Sequence, residues 1–517
     1  MTNPEIIIVG TGPAAVSFAV PFANRGYNIL FLEKGEYSFF SPPSQPFSEW
    51  SRDVKDANDI FTQTRLEKLQ KGLSPKFNTP MSDALDTSHT INTINFDLAS
   101  VTAVGGASNL WGAGVAALDY DEIDNCFPCA PNEMISAFER VARRIGVSGG
   151  CDDNLKSYFG LDNWSEGRLE IDERCLKALE KYENKTSSSS KFKLGYSRLA
   201  VLAKDRVNSK RCSYLNNCLF GCINKSIYNA ADEISLLKQK ANVSVRYSCE
   251  VQNITQTKKG VKVTYKSGGK LGYITGDRIG VAAGTISSTK LGLQLSRFSG
   301  KLPLLHAPSA AFLLLSSSIK NSFEKEVTGL SQLSFWAKND SGCEAYGNIF
   351  SLKGMPYFYF YPYLSSFSSR LAKKILPPLW PRLLAGNTFF GSELSKTYFQ
   401  MSSSGVVSIK GNETLQTQCE FKKLSSTLFK EFRKAGFLLI PGSFTRANIG
   451  ADVHYVGTLP MSFTASDTKT NSLGCLSGYD RVHFVDGAVI PKLFAKPHTL
   501  TVMANADRIA SEICSRA

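Results

Sequence analysis

The chain has 517 residues, of which 59 are Lys or Arg and 45 are Asp or Glu, for a formal net charge of +14. Hydrophobic residues at 43% and charged residues at 20% exclude a disordered or collagen-like chain, and no basic run is long enough for a nucleic-acid tail. At roughly 100–200 residues per domain the length allows two to four domains, and twelve cysteines are too sparse for a disulfide scaffold.

Residues 5–33 read as strand, tight turn, helix, strand. Ile6-Ile7-Ile8-Val9 is a continuous apolar run, and it leads directly into Gly10-Thr11-Gly12-Pro13-Ala14-Ala15. An apolar helical stretch follows to Phe22, Gly26 ends it, and Tyr27 to Leu32 is a second strand that stops at Glu33. This is a dinucleotide fingerprint in its expected setting. Gly10 permits the turn, Gly12 lets a pyrophosphate approach the backbone, and Ala15 stands where close helix–strand packing is needed. The helix N-terminus then turns its partial positive charge toward the phosphates. Glu33 follows at the spacing of the acid that binds a ribose diol, and its charge disfavours a 2′-phosphate. The first apolar run is too short for a secretory leader and lacks a basic flank, and no stretch of about 18 apolar residues exists. The expected location is therefore the cytoplasm.

Ser100 to Ala117 reads SVTAVGGASNLWGAGVAA, a backbone of small residues able to pack closely against a flat or anionic group. Cys126-Phe-Pro-Cys129 and the trio Cys212, Cys218 and Cys222 fit no standard metal spacing, and no histidine completes either set. They are read as packing or an occasional disulfide, with no metal. Residues 186–190 are a serine tract at a loop tip. Val243 to Tyr247, Val251 to Thr255 and Gly260 to Tyr265 alternate as strands between glycine punctuation, and residues 344–363 read as aromatic-rich strands. Residues 362–390 interleave Phe367, Leu371, Ile375, Leu376 and Trp380 with Arg370, Lys373, Lys374 and Arg382. That pattern suits either a peripheral membrane contact or an apolar face buried in a lid or subunit contact, and the buried reading is preferred. Ser403 to Ile409 enters a further strand, and Leu424 to Gly436 is a helix closed by glycine. Near the end, Val482 to Val485 is a strand stopping at Asp486-Gly487. A loop with Pro491 and Pro497 leads to His498, and Thr499 opens a helix with Leu500, Met503, Ala504 and Ile509 on its apolar face.

Taken together, these segments resemble the glucose–methanol–choline family of FAD-dependent oxidoreductases. The resemblance rests on GTGPAA with Glu33, on GGASNLWGAG, on Asp277 to Thr285, on His454-Tyr455-Val456-Gly457-Thr458, and on Asp486-Gly487 through His498-Thr499-Leu500-Thr501. The motifs occur in the family's order over nearly the whole chain, while residues 300–440 match loosely. The glycine–tryptophan motif is most similar to pyranose-oxidase-like and bacterial sugar-oxidising members. Two departures stand out. Leu110 occupies the place of the histidine that carries flavin covalently in pyranose oxidases, so the resemblance implies non-covalent FAD. Leu459-Pro460-Met461 replaces the family's Cys-Arg-Met.

The resemblance implies an α/β fold, a Rossmann-type FAD-binding domain interleaved with an antiparallel-sheet substrate domain. The first would take residues 1–50, 90–160, 200–300 and 440–517, and the second 51–89, 161–199 and 301–439. It implies FAD contacts at Gly10, Gly12, Pro13, Ala14, Glu33, Lys34, Gly105, Gly106, Ser108, Asn109, Trp111, Gly112, Ala113, Val251, Ala283, Gly284, Asp486, Gly487, His498 and Thr499. Alcohol oxidation needs a base near neutral pKa and a hydride acceptor. Of the five histidines, His454 and His498 match active-site positions. His454 is assigned as base and His498 as the group that orients the same hydroxyl, where other members use Asn. His89, His306 and His483 are read as structural, with His483 pointing away from the core that Val482 and Phe484 enter. The expected function is oxidation of an alcohol, a secondary hydroxyl of a sugar, glycoside or related metabolite, to a carbonyl. Electrons would pass to oxygen or another acceptor. A non-redox lyase or isomerase on the same scaffold, or a non-catalytic flavoprotein subunit, are the alternatives.

Overall fold

The computed structural model describes residues 4–36, 44–45, 91–150, 152–185, 191–218, 221–317, 327–353 and 379–516. His89, the serine tract, residues 51–89 and residues 362–378 lie outside the described residues.

A five-stranded sheet forms one layer. Its order is Val482–Phe484, Arg278–Val281, Ile6–Val9, Ile29–Leu32, Val243–Arg246, and every pairing is parallel. Ile6–Val9 and Ile29–Leu32 are buried at every position, as strands covered on both faces must be. Helix Pro13–Asn24 follows the first strand. Gly12, extended at φ −72° and ψ 179°, stands at its N-cap, and Pro13 fills the first turn where its missing N–H costs nothing. The last helix, Thr499–Arg516, packs along Pro13–Asn24 and along Pro131–Ile145. Glu250–Thr257, Gly260–Ser267 and Lys270–Gly276 form a separate antiparallel ribbon. Its second turn has Gly268 at φ 54° and Gly269 at φ 80°, the two left-handed residues of a tight hairpin.

The second layer is an antiparallel sheet ordered Phe437–Leu439, Ser309–Ser316, Leu383–Phe390, Glu344–Ser351, Ser331–Lys338, Phe192–Tyr196, with Thr445–Arg446 also on Ser309–Ser316. Strand alternation divides it into two faces. One carries Phe192, Phe312, Phe335, Ile349 and Leu384, all buried beneath Phe421, Leu424, Leu428 and Phe432 of helix Leu415–Lys434. The predicted helix 424–436 therefore begins about two and a half turns earlier, at Leu415, capped by Thr414, whose hydroxyl accepts from the Thr417 N–H at 3.1 Å. The other face carries Ala311, Asn387, Phe389, Tyr346, Asn348, Ser334 and Trp336 in register. A small four-stranded sheet, Gly300–Pro303, Thr397–Met401, Val407–Gly411 and Asn92–Ile94, adds Leu302, Phe399, Met401, Val407 and Ile409 to the core that holds the parallel sheet.

Of the segment 362–390, residues 379–390 are described. Leu383–Phe390 is an interior strand bonded on both edges, with Leu383, Leu384 and Phe390 buried, and Leu379 and Trp380 pack on Leu313, Leu352 and Leu383. This portion is internal to the sheet. No helix among the described residues is long and apolar enough to cross one. The architecture is α/β, a Rossmann-type parallel sheet whose strands are separated along the chain by an antiparallel-sheet unit.

Candidate active site

The nucleotide end is built from two glycine loops in contact. Gly10 sits at φ +93°, and a Cβ there would stand 2.4 Å from the Ala282 carbonyl oxygen, so only glycine fits the turn. Gly12 is the opposite case, since no atom lies within 4 Å of the place its Cβ would take. The space in front of the helix N-terminus is open. Gly106 faces it, its absent Cβ 3.3 Å from the Gly12 Cα, and Gly105 at φ +90° donates its N–H to the Thr11 hydroxyl at 3.1 Å. Gly112 and Gly284 also leave open space, while Ala113 is buried at φ 55°.

Glu33 ends the second strand with 6% of its surface exposed. Thr11 donates to one carboxylate oxygen at 2.6 Å and the Gly35 N–H to the other at 2.7 Å. Burial pushes the Glu33 carboxyl up, and these donors oppose the shift. Lys34 is paired with Glu250 at 3.3 Å, beside the half-buried Val251. The side chains of the second loop brace it internally. Ser108 donates to the Gly105 carbonyl at 2.6 Å and accepts the Ala230 N–H at 3.0 Å. Asn109 donates to the Val104 carbonyl at 2.9 Å and accepts from the Asn229 amide at 2.9 Å. Trp111 donates to the Tyr228 carbonyl at 2.9 Å. Asn229, absent from the predicted site, caps helix Ala230–Leu237 and holds this loop. Its signal was present as an Asn ahead of Asp232 and Glu233 in a first turn.

Asp486 ends strand Val482–Phe484. It accepts from the Ser288 hydroxyl at 2.5 Å and the Ala488 N–H at 3.0 Å, and burial pushes its carboxyl up to about 6. Ser288 also accepts the Ala283 N–H at 3.1 Å, which ties the return turn Ala283-Gly284 to Asp486. A Cβ at Gly487 would strike the Thr285 hydroxyl at 2.4 Å.

The chemistry end is assembled by backbone pairing between distant segments. The N–H groups of Gly457, Leu459 and Met461 donate to the carbonyls of Gly487, Ala488 and Val489 at 2.8–3.0 Å. Leu459 and Met461 are buried in that pairing, which is how the replaced Cys-Arg-Met positions are used. The pairing carries His454 toward His498, which stands directly before helix Thr499–Arg516 with its carbonyl accepting the Val502 N–H at 3.0 Å. The two imidazoles lie edge to face, centroids 4.8 Å apart. Phe389, from the face of the antiparallel sheet opposite helix Leu415–Lys434, packs on His454 at 4.9 Å. Asp452, buried, accepts the His454 N–H at 2.9 Å and meets His306 Nδ1 at 2.9 Å, so His306 is a structural brace of the active-site strand. Beyond Phe389 the sheet face is polar. Asn348 accepts from Tyr346 and Ser334 and donates to Asn387 Oδ1 at 3.1 Å.

No family model matches this chain, and no curated protein does. A solved structure of pyridoxine 4-oxidase from Mesorbium loti matches over 99% of this chain and 99% of its own, with a TM-score of 0.62 at 13% identity. At that identity the likeness is one of fold. In this chain the parallel sheet supplies the glycine loops, and Phe389 of the antiparallel sheet packs on the paired histidines.

One expectation changes. His483 does not point outward: it is fully buried, with Nδ1 2.9 Å from the Leu473 carbonyl and 3.2 Å from Cys475 Sγ. Its strand is at the edge of the parallel sheet but is buried at all three positions, so alternation carries no inside–outside information there. Burial pushes its pKa down to about 4. The sequence reading also missed Tyr346 and Asn348, in a segment read only as aromatic-rich strands, and Asn387 and Phe389, in the segment read as a membrane, lid or subunit contact. The described cysteines are free thiols, and Cys212 and Cys218 are pushed up to about 11 and 12 by burial.

Proposed function

We propose that this protein is an FAD-dependent oxidoreductase that oxidises an alcohol to a carbonyl, with His454 as base. The observation that carries the proposal is the pair His454 and His498, brought to 4.8 Å from segments that never meet in sequence, beside the polar face of the antiparallel sheet.

The residues fit the cofactor. Gly12 leaves an open approach to a helix N-terminus, which suits a pyrophosphate. Glu33 is buried with two donors already on it and has lone pairs left for a ribose diol. Gly105, Gly106, Gly112, Ala283, Gly284, Asp486 and Gly487 would hold the remainder. Leu110 offers no atom for a covalent link, so the flavin is bound non-covalently. When bound, FAD supplies a hydride acceptor at N5. In this reading residues 1–50, 90–160, 200–300 and 440–517 form the FAD-binding domain, and 51–89, 161–199 and 301–439 the substrate domain.

On the substrate side, a ring nitrogen of His454 takes the hydroxyl proton while His498 hydrogen-bonds the same oxygen and fixes its direction. Phe389 limits the rotation of His454 by packing on it. Asn387 and Asn348 give the site amide groups that suit a hydroxyl-bearing substrate, and a secondary hydroxyl of a sugar, glycoside or related metabolite is the class proposed. Pyridoxine belongs in the test panel because the structural neighbour is a pyridoxine 4-oxidase.

The experiment is anaerobic flavin reduction by a panel of sugars, glycosides and pyridoxine, followed by oxygen. The purified protein should be yellow and release its flavin on acid treatment. A substrate should bleach it, and His454→Ala should slow bleaching by at least about a hundredfold. Colourless protein that takes up no FAD refutes the reading. Turnover without a change in the flavin spectrum would replace it with a non-redox reaction.

A further inference from the structure

We infer that Thr11 is a positioning residue for the nucleotide. Its hydroxyl aims Glu33 and locks the second glycine loop onto the first, a role that rests on the FAD reading above. Thr11 occupies the wildcard position between Gly10 and Gly12, where the dinucleotide fingerprint specifies no residue. Its side chain is nevertheless placed like a working part, 1% exposed and turned inward.

A hydroxyl has one proton to give and two lone pairs to receive. Thr11 gives its proton to Glu33 Oε2 at 2.6 Å and receives the Gly105 N–H at 3.1 Å. One atom thus joins the first glycine loop, the acid at the end of the second strand and the second glycine loop. The Gly35 N–H holds Glu33 Oε1 at 2.7 Å, so each carboxylate oxygen has one internal donor and the plane of the carboxylate is fixed. The lone pairs left over have a set direction, which is what recognition of two adjacent ribose hydroxyls requires.

Removing the hydroxyl has two consequences. Glu33, buried and already pushed up by desolvation, loses the donor that most opposes that shift and is free to turn. The Gly105 N–H loses its acceptor where a Cβ on Gly105 would stand 2.8 Å from the Asn229 amide oxygen, so the loop has little room to find another. Serine keeps both bonds. Valine keeps the volume and loses both.

The test is FAD titration of flavin-stripped wild type, T11V, T11S, E33Q and the T11V/E33Q double variant, read by flavin fluorescence quenching. T11V should bind FAD about tenfold to a hundredfold more weakly, the loss of a hydrogen bond to a charged group, and T11S within about threefold of wild type. If Thr11 acts through Glu33, T11V in the E33Q background should add less than about threefold. FAD affinity unchanged in T11V overturns the inference, as does equal weakening in T11S or full additivity with E33Q. If T11V does not fold, T11A against T11S makes the same comparison. Wild type that takes up no FAD overturns the FAD reading itself and the inference with it.

Discussion

Two glycines two residues apart should respond in opposite ways to the same methyl group. At Gly12 the backbone is extended, φ −72° and ψ 179°, and no atom lies within 4 Å of an added Cβ. Alanine there lowers the entropy of the unfolded chain, which stabilises by about 0.4–1 kcal/mol, and is a slightly poorer N-cap than glycine, which costs a few tenths to about 1 kcal/mol. The two nearly cancel, so Gly12→Ala should leave the flavin-stripped protein within about 1 kcal/mol of wild type. The methyl fills the space kept for a pyrophosphate, and FAD affinity should fall at least about a hundredfold, or about 2.7 kcal/mol. At Gly10 the balance reverses. Alanine at φ +93° carries a left-handed penalty of about 1–2 kcal/mol, and its Cβ would meet the Ala282 carbonyl oxygen at 2.4 Å inside the parallel sheet. Relieving that contact costs about 1–3 kcal/mol more. Gly10→Ala should therefore destabilise the stripped protein by at least about 2 kcal/mol. Urea denaturation measures the first quantity and flavin fluorescence quenching the second. Gly12→Ala with normal FAD affinity would refute the assignment of that open space to the cofactor.

Four further outcomes follow from the geometry. His483 is held at about 4 by burial while the unfolded side chain titrates near 6.5, so the stability contributed by its neutral ring is whole above 6.5. It is lost as pH falls from 6.5 through 4, by up to ~3 kcal/mol, and denaturation of wild type and His483→Gln at pH 7 and pH 4.5 should show a shallower decline in the variant. His498→Asn should keep flavin reduction at least about tenfold faster than His498→Ala, because the amide can still bond the hydroxyl; equal rates would remove His498 from the orienting role. Phe389→Ala should lower kcat/KM about tenfold with FAD affinity unchanged, read by paired titration and stopped-flow reduction. Leu428→Ala, beneath the antiparallel sheet with no exposed surface, should cost about 2–5 kcal/mol in urea and leave the apparent FAD affinity as it was.

The sequence by itself determined whatever rests on local chemistry. A turn that only Gly10 can make and an acid at the end of the next strand each carry their meaning within a few residues, and both stand where they were expected. The strands at 243–247, 251–255 and 260–265 were legible for the same reason, since β-branched alternation and glycine punctuation act over single hydrogen-bond ladders. The motif pair His454 and His498 pointed to one site, but its geometry was not in either motif. It arises because the N–H groups of residues 457–461 pair with the carbonyls of residues 487–489.

What only the tertiary structure decided is the set of contacts made across long stretches of chain. Leu383–Phe390 carries the apolar composition of a surface-seeking segment, and its two edges are satisfied by strands the local pattern does not mention. His483 alternates with two core residues and is nonetheless buried, because a parallel sheet covered on both faces has no outside. Asn229 and Thr11 are ordinary polar residues until folding sets them against Gly105 and the groups around it. A hydroxyl or an amide has no function in a sequence beyond its capacity to bond, and the identity of the partner is a property of the fold.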